Sequence, residues 1–177
     1  MILYAEDWML PIASKYGKQR AAAKGKRDQH LTGHAKLINE SVQIRSVLWE
    51  MLLATYLDIP IDPIYSPVPD RFGDLQIPGR KKWIDCKTTM RQYDHAHIIN
   101  AHKHGRTMRS NVYALGIWHD ETGIRFVGWV TADEFTQFGR FVTFTDGKPE
   151  WAIRSDHECF HAPEVLHEQV QEMRRDG

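Results

Sequence analysis

Between Ser46 and Leu57 the chain reads Ser-Val-Leu-Trp-Glu-Met-Leu-Leu-Ala-Thr-Tyr-Leu, and Glu50 is its only charged residue. The apolar spacing from about Leu37 to Tyr56 suits a helix that ends before Pro60. A helix that is apolar on nearly every side is buried, which requires a sheet or further helices around it. Glu50 shares a helical face with Val47, Ala54 and Leu57, so its carboxylate goes inward with them. A buried carboxylate is costly without compensation. Either a metal ion, or a water bound to one, compensates it, or the glutamate lies at a helix edge beside a basic side chain.

At 177 residues the chain has the size of one domain with one core. Its formal net charge is zero, so any binding to nucleic acid requires a local concentration of positive charge. One such concentration is Lys15, Lys18, Arg20, Lys24, Lys26 and Arg27, a run without an acid. It reads either as a solvated helix face or as a phosphate-contacting arm. Residues 1–36 are accordingly taken as a basic N-terminal segment that could serve as such an arm, and 37–177 as a single domain. Cys86 and Cys159 have no metal-type spacing and form no disulfide framework, which fits a reducing compartment. The first ten residues lack the pattern of a signal peptide, and the apolar stretch Val47–Leu57 is too short to span a bilayer. A cytoplasmic protein without a membrane partner is expected.

After the helix, Pro60, Pro63, Pro67 and Pro69 mark an extended connection. Phe72–Ile77 and Lys82–Thr88 read as strands around a Pro78-Gly79 turn. Met90–Ser110 is ambiguous, with a short helix stopping at Gly105 as one solution. Asn111–His119 and Ile124–Val130 read as strands joined by a turn at Asp120–Gly123. Thr131-Ala132-Asp133-Glu134 fits a capping box opening a short helix. Arg140–Thr145 and Glu150–Arg154 form a hairpin around Asp146-Gly147, and Pro163 opens a last helix to about Arg174. This order predicts an α/β or α+β domain on one central mixed sheet flanked by helices.

The predicted hairpin carries the chemistry. With Pro78-Gly79 at the centre of the turn, Asp74 comes to lie opposite Trp83. Trp83, Asp85 and Lys87 share one face by alternation, and Asp74 lies on it, diagonal to Asp85. Ile84 and Cys86 point into the core. Two carboxylates and an ammonium so placed suit a hard divalent cation, which prefers oxygen ligands and relieves the repulsion between the acids. The lysine can orient or activate a bound water and stabilise charge on phosphate. An acid-x-lysine triplet alone says little, since roughly one is expected by chance in such a chain. A second, Asp146-Gly147-Lys148, falls at a hairpin tip. The competing account of the first is a surface salt-bridge ladder across a hairpin.

In their order, Glu50 on a helix, Asp74 on a strand and Asp85-Cys86-Lys87 on the next strand resemble the PD-(D/E)xK nuclease superfamily, the restriction-endonuclease-like fold. Asp85 stands where glutamate is commoner. The strands Asn111–Trp118 and Phe126–Val130, with the short helix after them, are similar to the elements that follow in small phage and bacterial members. The resemblance implies a metal-dependent deoxyribonuclease using Mg²⁺, with Mn²⁺ as a substitute. Asp74, Asp85 and the Cys86 carbonyl would bind the first metal, Glu50 a second metal or a metal-bound water, and Lys87 would activate water. The literal Pro-Asp pair is Pro69-Asp70, so Asp70 is a further candidate. DNA is the implied partner, and a homodimer is compatible with it.

Beyond the triplet, Arg91, Gln92 and Tyr93 could follow a nucleic-acid backbone or stack on bases. His95-Ala96-His97 and His102-Lys103-His104 could bind zinc, but no ordered four-ligand pattern accompanies them. Two other functions therefore stand beside the nuclease: a nucleic-acid-binding or assembly protein on the same fold without catalysis, and a histidine-based metal protein.

Overall fold

The structure is a computed structural model, and it describes residues 1–27, 33–61, 73–89, 97–100, 110–143 and 149–175. Its elements are β1 (Ile2–Tyr4), α1 (Met9–Arg27), α2 (Gly33–Tyr56), β2 (Leu75–Gln76), β3 (Trp83–Thr89), β4 (His97–Asn100), β5 (Val112–Trp118), β6 (Gly123–Thr131), α3 (Ala132–Phe138), β7 (Arg140–Thr143), β8 (Pro149–Arg154) and α4 (Pro163–Arg175). A mixed sheet has the order β1-β6-β5-β3-β2, and a smaller sheet the order β4-β8-β7. Only the β3–β5 pairing in the larger sheet is parallel. Parallel neighbours need a long crossover, and the chain between them supplies β4 to the second sheet. This is the mixed α+β architecture expected from the sequence, except that the strands divide between two sheets instead of building one.

β5 is the middle strand, and Val112–Ile117 are buried without interruption. Both faces of the sheet are therefore covered. Val112 and Ala114 face the helices, in one core with residues of α1, α2 and α4. Tyr113, Leu115 and Ile117 face the other way, against Phe135 of α3 and Ile153 of β8. Trp49 of α2 is fully buried and lies so close to Gly116 that a Cβ there would meet its indole at 2.8 Å. The burial of every apolar residue from Val47 to Ala54 is what the apolar run of that helix requires.

Several smaller expectations hold. The Glu134 N–H donates to Thr131 Oγ1 at 3.2 Å and the Thr131 N–H to Glu134 Oε2 at 2.8 Å, completing the capping box at α3. β7 and β8 form the expected antiparallel hairpin, while Asp146-Gly147 lies outside the described residues. α4 opens at Pro163. Other expectations need correction. Within Met90–Ser110 the described stretch His97–Asn100 is a strand paired with β8, not helix. α2 begins at Gly33, before Leu37. β1 was not foreseen, because three residues carry no readable period.

Residues 9–27 form a helix that lies along α2, with Met9 and Ala13 in the main core. The crossing is close at Gly17, where a Cβ would come within 2.7 Å of Ile44 Cγ1 and closer still to the Ile44 backbone. Arginine contacts join the other elements. Arg80 at the β2–β3 turn donates from Nε to Met173 O (3.1 Å) and from Nη2 to Arg174 O (2.5 Å), at the C-terminal end of α4. Arg174 donates in turn to Leu57 O (3.3 Å) and Asp58 O (2.7 Å) just past α2. The hairpin tip is thus tied through α4 to the end of the helix that carries Glu50. No described helix is long and apolar enough to cross a membrane.

Helix propensity alone favours Gly17→Ala by about 1 kcal/mol. The crossing predicts the reverse. The added methyl should force α1 off α2 and cost about 1–3 kcal/mol net, read as a lower urea midpoint. A variant as stable as the parent would show that the two helices are not packed this closely.

Candidate active site

The turn between β2 and β3 is wider than a two-residue loop. The Arg80 N–H donates to Ile77 O at 3.1 Å, and the Ile77 N–H to Lys82 O at 2.9 Å. Pairing then runs Gln76↔Trp83 and Leu75↔Ile84. The expected alignment of Asp74 with Trp83 is therefore corrected by two residues, because the turn takes in four residues rather than Pro78-Gly79 alone. A two-residue shift keeps each side chain on its own face, whereas a shift of one would have inverted the strand. Leu75, Ile77, Ile84 and Cys86 accordingly enter the helix-side core. Asp85 and Lys87 alternate away from it and keep 21% and 28% of their side-chain surface exposed.

Asp74 stands at the edge of β3. The Trp83 backbone exchanges hydrogen bonds with Asn111, next to β5, at 2.9 and 2.8 Å. Ile84 is directed to the opposite side, where its carbonyl accepts the Asp74 N–H at 2.9 Å. Cys86 follows by alternation. Its N–H donates to Asp74 Oδ2 at 2.6 Å, so the carboxylate takes the place of a strand partner beyond the end of β2. The Cys86 carbonyl is directed to this same edge by the same alternation. Gly73, at φ 151°, brings the chain in: a Cβ there would meet Ser110 Oγ at 2.7 Å and Trp83 Cβ at 2.9 Å.

Burial pushes the Asp74 pKa well above the usual carboxylate range, and the charges of Glu50 and Asp85 push it the same way. Lys87 and the Cys86 N–H oppose the rise without cancelling it. Lys87 Nζ contacts Asp85 Oδ1 at 2.6 Å. Burial works against the ammonium, but pairing with Asp85, and then the charge of Asp74, outweigh it and raise the Lys87 pKa. Lys87 is thus a charged donor at neutral pH. The Cys86 thiol is pushed up by burial and by the same acids, so the thiolate, the form that ligates metals, is disfavoured. Any ligand role of Cys86 falls to its carbonyl.

Glu50 comes from α2, which lies against β3 on the helix side. Its partner is Arg20. The guanidinium donates from Nη1 to Glu50 Oε1 and from Nη2 to Glu50 Oε2, the latter at 2.7 Å. Of the two compensations open to a buried glutamate, the basic side chain is the one observed. Arg20, grouped by sequence with a phosphate-contacting arm, points instead at a candidate ligand. Lys18 stays mostly exposed, with Glu40 4.0 Å away, and Lys15 lies 5.3 Å from the Tyr16 ring centroid. The side chains of Lys24, Lys26 and Arg27 lie outside the described residues, as do Asp70, Arg91, Gln92, Tyr93, His95, His102 and His104. The His97 side chain is likewise outside them.

Two residues near the site were missed by sequence reasoning. Tyr113 pairs in register with Asp85 and adds to the rise in the Lys87 pKa. Ser110 is buried beside Gly73. Alternation along β5 could have suggested Tyr113, whereas nothing local marks Ser110.

Among the described residues, no group of three His, Cys, Asp or Glu side chains stands ready to hold a metal ion as it lies. The chemistry of the donor set nevertheless suits a hard divalent ion. Burial first, and then the charges of Glu50 and Asp85, raise the Asp74 pKa, and a hard cation bound to these oxygens would offset the repulsion among the acids. Comparison with protein-family models, with curated proteins and with solved structures finds no match for this chain.

The Asp74 shift has a direct consequence for stability. A raised carboxyl pKa means that the folded chain holds a proton which the unfolded chain gives up. Its stabilising contribution is complete below the ordinary aspartate range near 4 and is lost as pH rises through the raised value. In EDTA at neutral pH, Asp74→Asn should therefore melt above the parent, by about 2–4 °C for each kcal/mol relieved. The gap should close as pH falls toward the ordinary range. A destabilised Asp74→Asn at neutral pH would contradict the electrostatics described.

Proposed function

We propose that this protein is a divalent-metal-dependent nuclease with a restriction-endonuclease-like fold that hydrolyses phosphodiester bonds in DNA. The observation that carries the proposal is the position of Asp74. It is anchored at the sheet edge by the Cys86 N–H, within the fields of both Glu50 and Asp85, and the Lys87 ammonium is bound to Asp85. Asp74, Asp85 and the Cys86 carbonyl would hold Mg²⁺, or Mn²⁺ in its place, with Glu50 at a second position. A hard divalent ion bound there supplies Lewis acidity and a water of lowered pKa.

The chain's own groups do the rest. Asp74, just before β2, and Asp85 on β3 would fix the ligand positions, with Asp74 held against β3 by the Cys86 N–H. Lys87 donates rather than accepts, so its part is to orient water and to stabilise negative charge developing on the phosphate. Lys15 and Lys18 on α1 could contact the nucleic-acid backbone, which would make binding fall with salt. One observation favours a second reading. Glu50 and Asp85 each have a basic partner of their own, as expected of a binding or assembly module without catalysis.

Plasmid and linear DNA incubated with Mg²⁺ separate the two. Under the proposal, the parent cleaves and EDTA abolishes cleavage. Lys87→Ala and Asp74→Ala lose on the order of 10²-fold or more, as when a transition-state donor is removed. Equal cleavage by the parent and Lys87→Ala ends the proposal, and salt-sensitive binding without cleavage establishes the second reading.

A further inference from the structure

We propose that Arg20 is the resident counter-ion of Glu50 and yields it to the divalent ion, so that α1 sets the metal affinity of a site whose ligands lie on α2 and the β2–β3 hairpin. The inference rests on the nuclease reading and deepens it. Arg20 and Glu50 lie on different helices, with side chains 25% and 13% exposed. The guanidinium takes both carboxylate oxygens, the geometry that makes an arginine–carboxylate pair strong and directional. Such a pair guards Glu50 against like charge, but a cation approaching Glu50 meets a permanent positive charge already in place. Glu50 also acts on Asp74, so the arginine–glutamate pair is coupled to the acid at the sheet edge.

The backbone gives the exchange a simple form. The crossing at Gly17 and Ile44 holds α1 on α2, one turn from Arg20. Release of Glu50 then needs only rotations along the arginine side chain and no movement of either helix. The residue thereby acts through Glu50 and is a positioning residue, not a catalytic one.

Calorimetric titration with MnCl₂, without nucleic acid, tests this on the parent, R20Q, E50Q, D74N and the R20Q/E50Q double variant. R20Q should bind Mn²⁺ about tenfold more tightly than the parent, the scale of one coupled charge interaction. E50Q should bind more weakly than the parent, and adding R20Q to E50Q should change its affinity by less than about twofold. In EDTA, R20Q should melt below the parent, and saturating Mn²⁺ should close that gap. Should R20Q fail to fold, R20K keeps one charge without the fork and should bind with intermediate affinity. Unchanged or weaker binding by R20Q, or by R20K where R20Q does not fold, overturns this inference alone if D74N still abolishes the parent's binding. Parent binding that is absent, or untouched by D74N, overturns the nuclease reading and this inference with it.

Discussion

Carboxylates that approach one another in a partly buried place repel, and whatever brings them together must also supply positive charge. Here Glu50 and Asp85 both act on the buried Asp74 at the edge of β3, and the fold answers with two cations and a backbone amide. Arg20 serves Glu50, Lys87 serves Asp85, and the Cys86 N–H serves Asp74. Asp74 has a hydrogen bond instead of a full counter-charge, and burial, followed by the charges of Glu50 and Asp85, raises its pKa. The same arrangement that weakens the metal-free protein would make a metal site strong.

The elements that create this arrangement are far apart in sequence. Glu50 is presented by a helix buried because its surface is apolar, and Asp74 stands just before a two-residue strand that could not hold a register alone. Arg80 and Arg174 remedy the second weakness by tying the hairpin tip to α4 and α4 to the end of α2. Both contacts bring a guanidinium to carbonyls at a helix C-terminus, where positive charge is favoured. Asp74 and Glu50 are thus related through a closed path of main-chain contacts, in addition to their own electrostatics.

Much of this was legible in the sequence, and the limits are instructive. The faces of β3 were readable because alternation depends only on parity, so a turn misjudged by two residues left Asp85 and Lys87 on the correct side. The lone charge in α2 marked Glu50, and the capping box marked α3. The partner of Glu50 was not readable. Arg20 sits in a basic run whose other described lysines, Lys15 and Lys18, lie at the surface, and only the close approach at Gly17 turns one member of the run inward. A small residue within a helix signals such an approach weakly, because glycine also marks breaks and caps. β4 was missed for a different reason: its pairing is with β8, more than fifty residues away, and a four-residue strand has too few periods to declare itself.

The Arg20–Glu50 pair also bears on how the two functional readings differ. A salt bridge kept for structure alone gains from being permanent, and replacing both partners by well-packed apolar residues would serve as well or better. A bridge between two helices beside a deficit of positive charge has a different logic. Its acid is worth keeping charged because something else can use that charge, and its base is worth keeping long and flexible because it must stand aside. Glu50 is the only charge in an otherwise apolar stretch of α2, where valine or leucine would have packed at no electrostatic cost. The carboxylate that stands there instead is held by an arginine from another helix, and on the proposal made above that pair is the one the divalent ion would open.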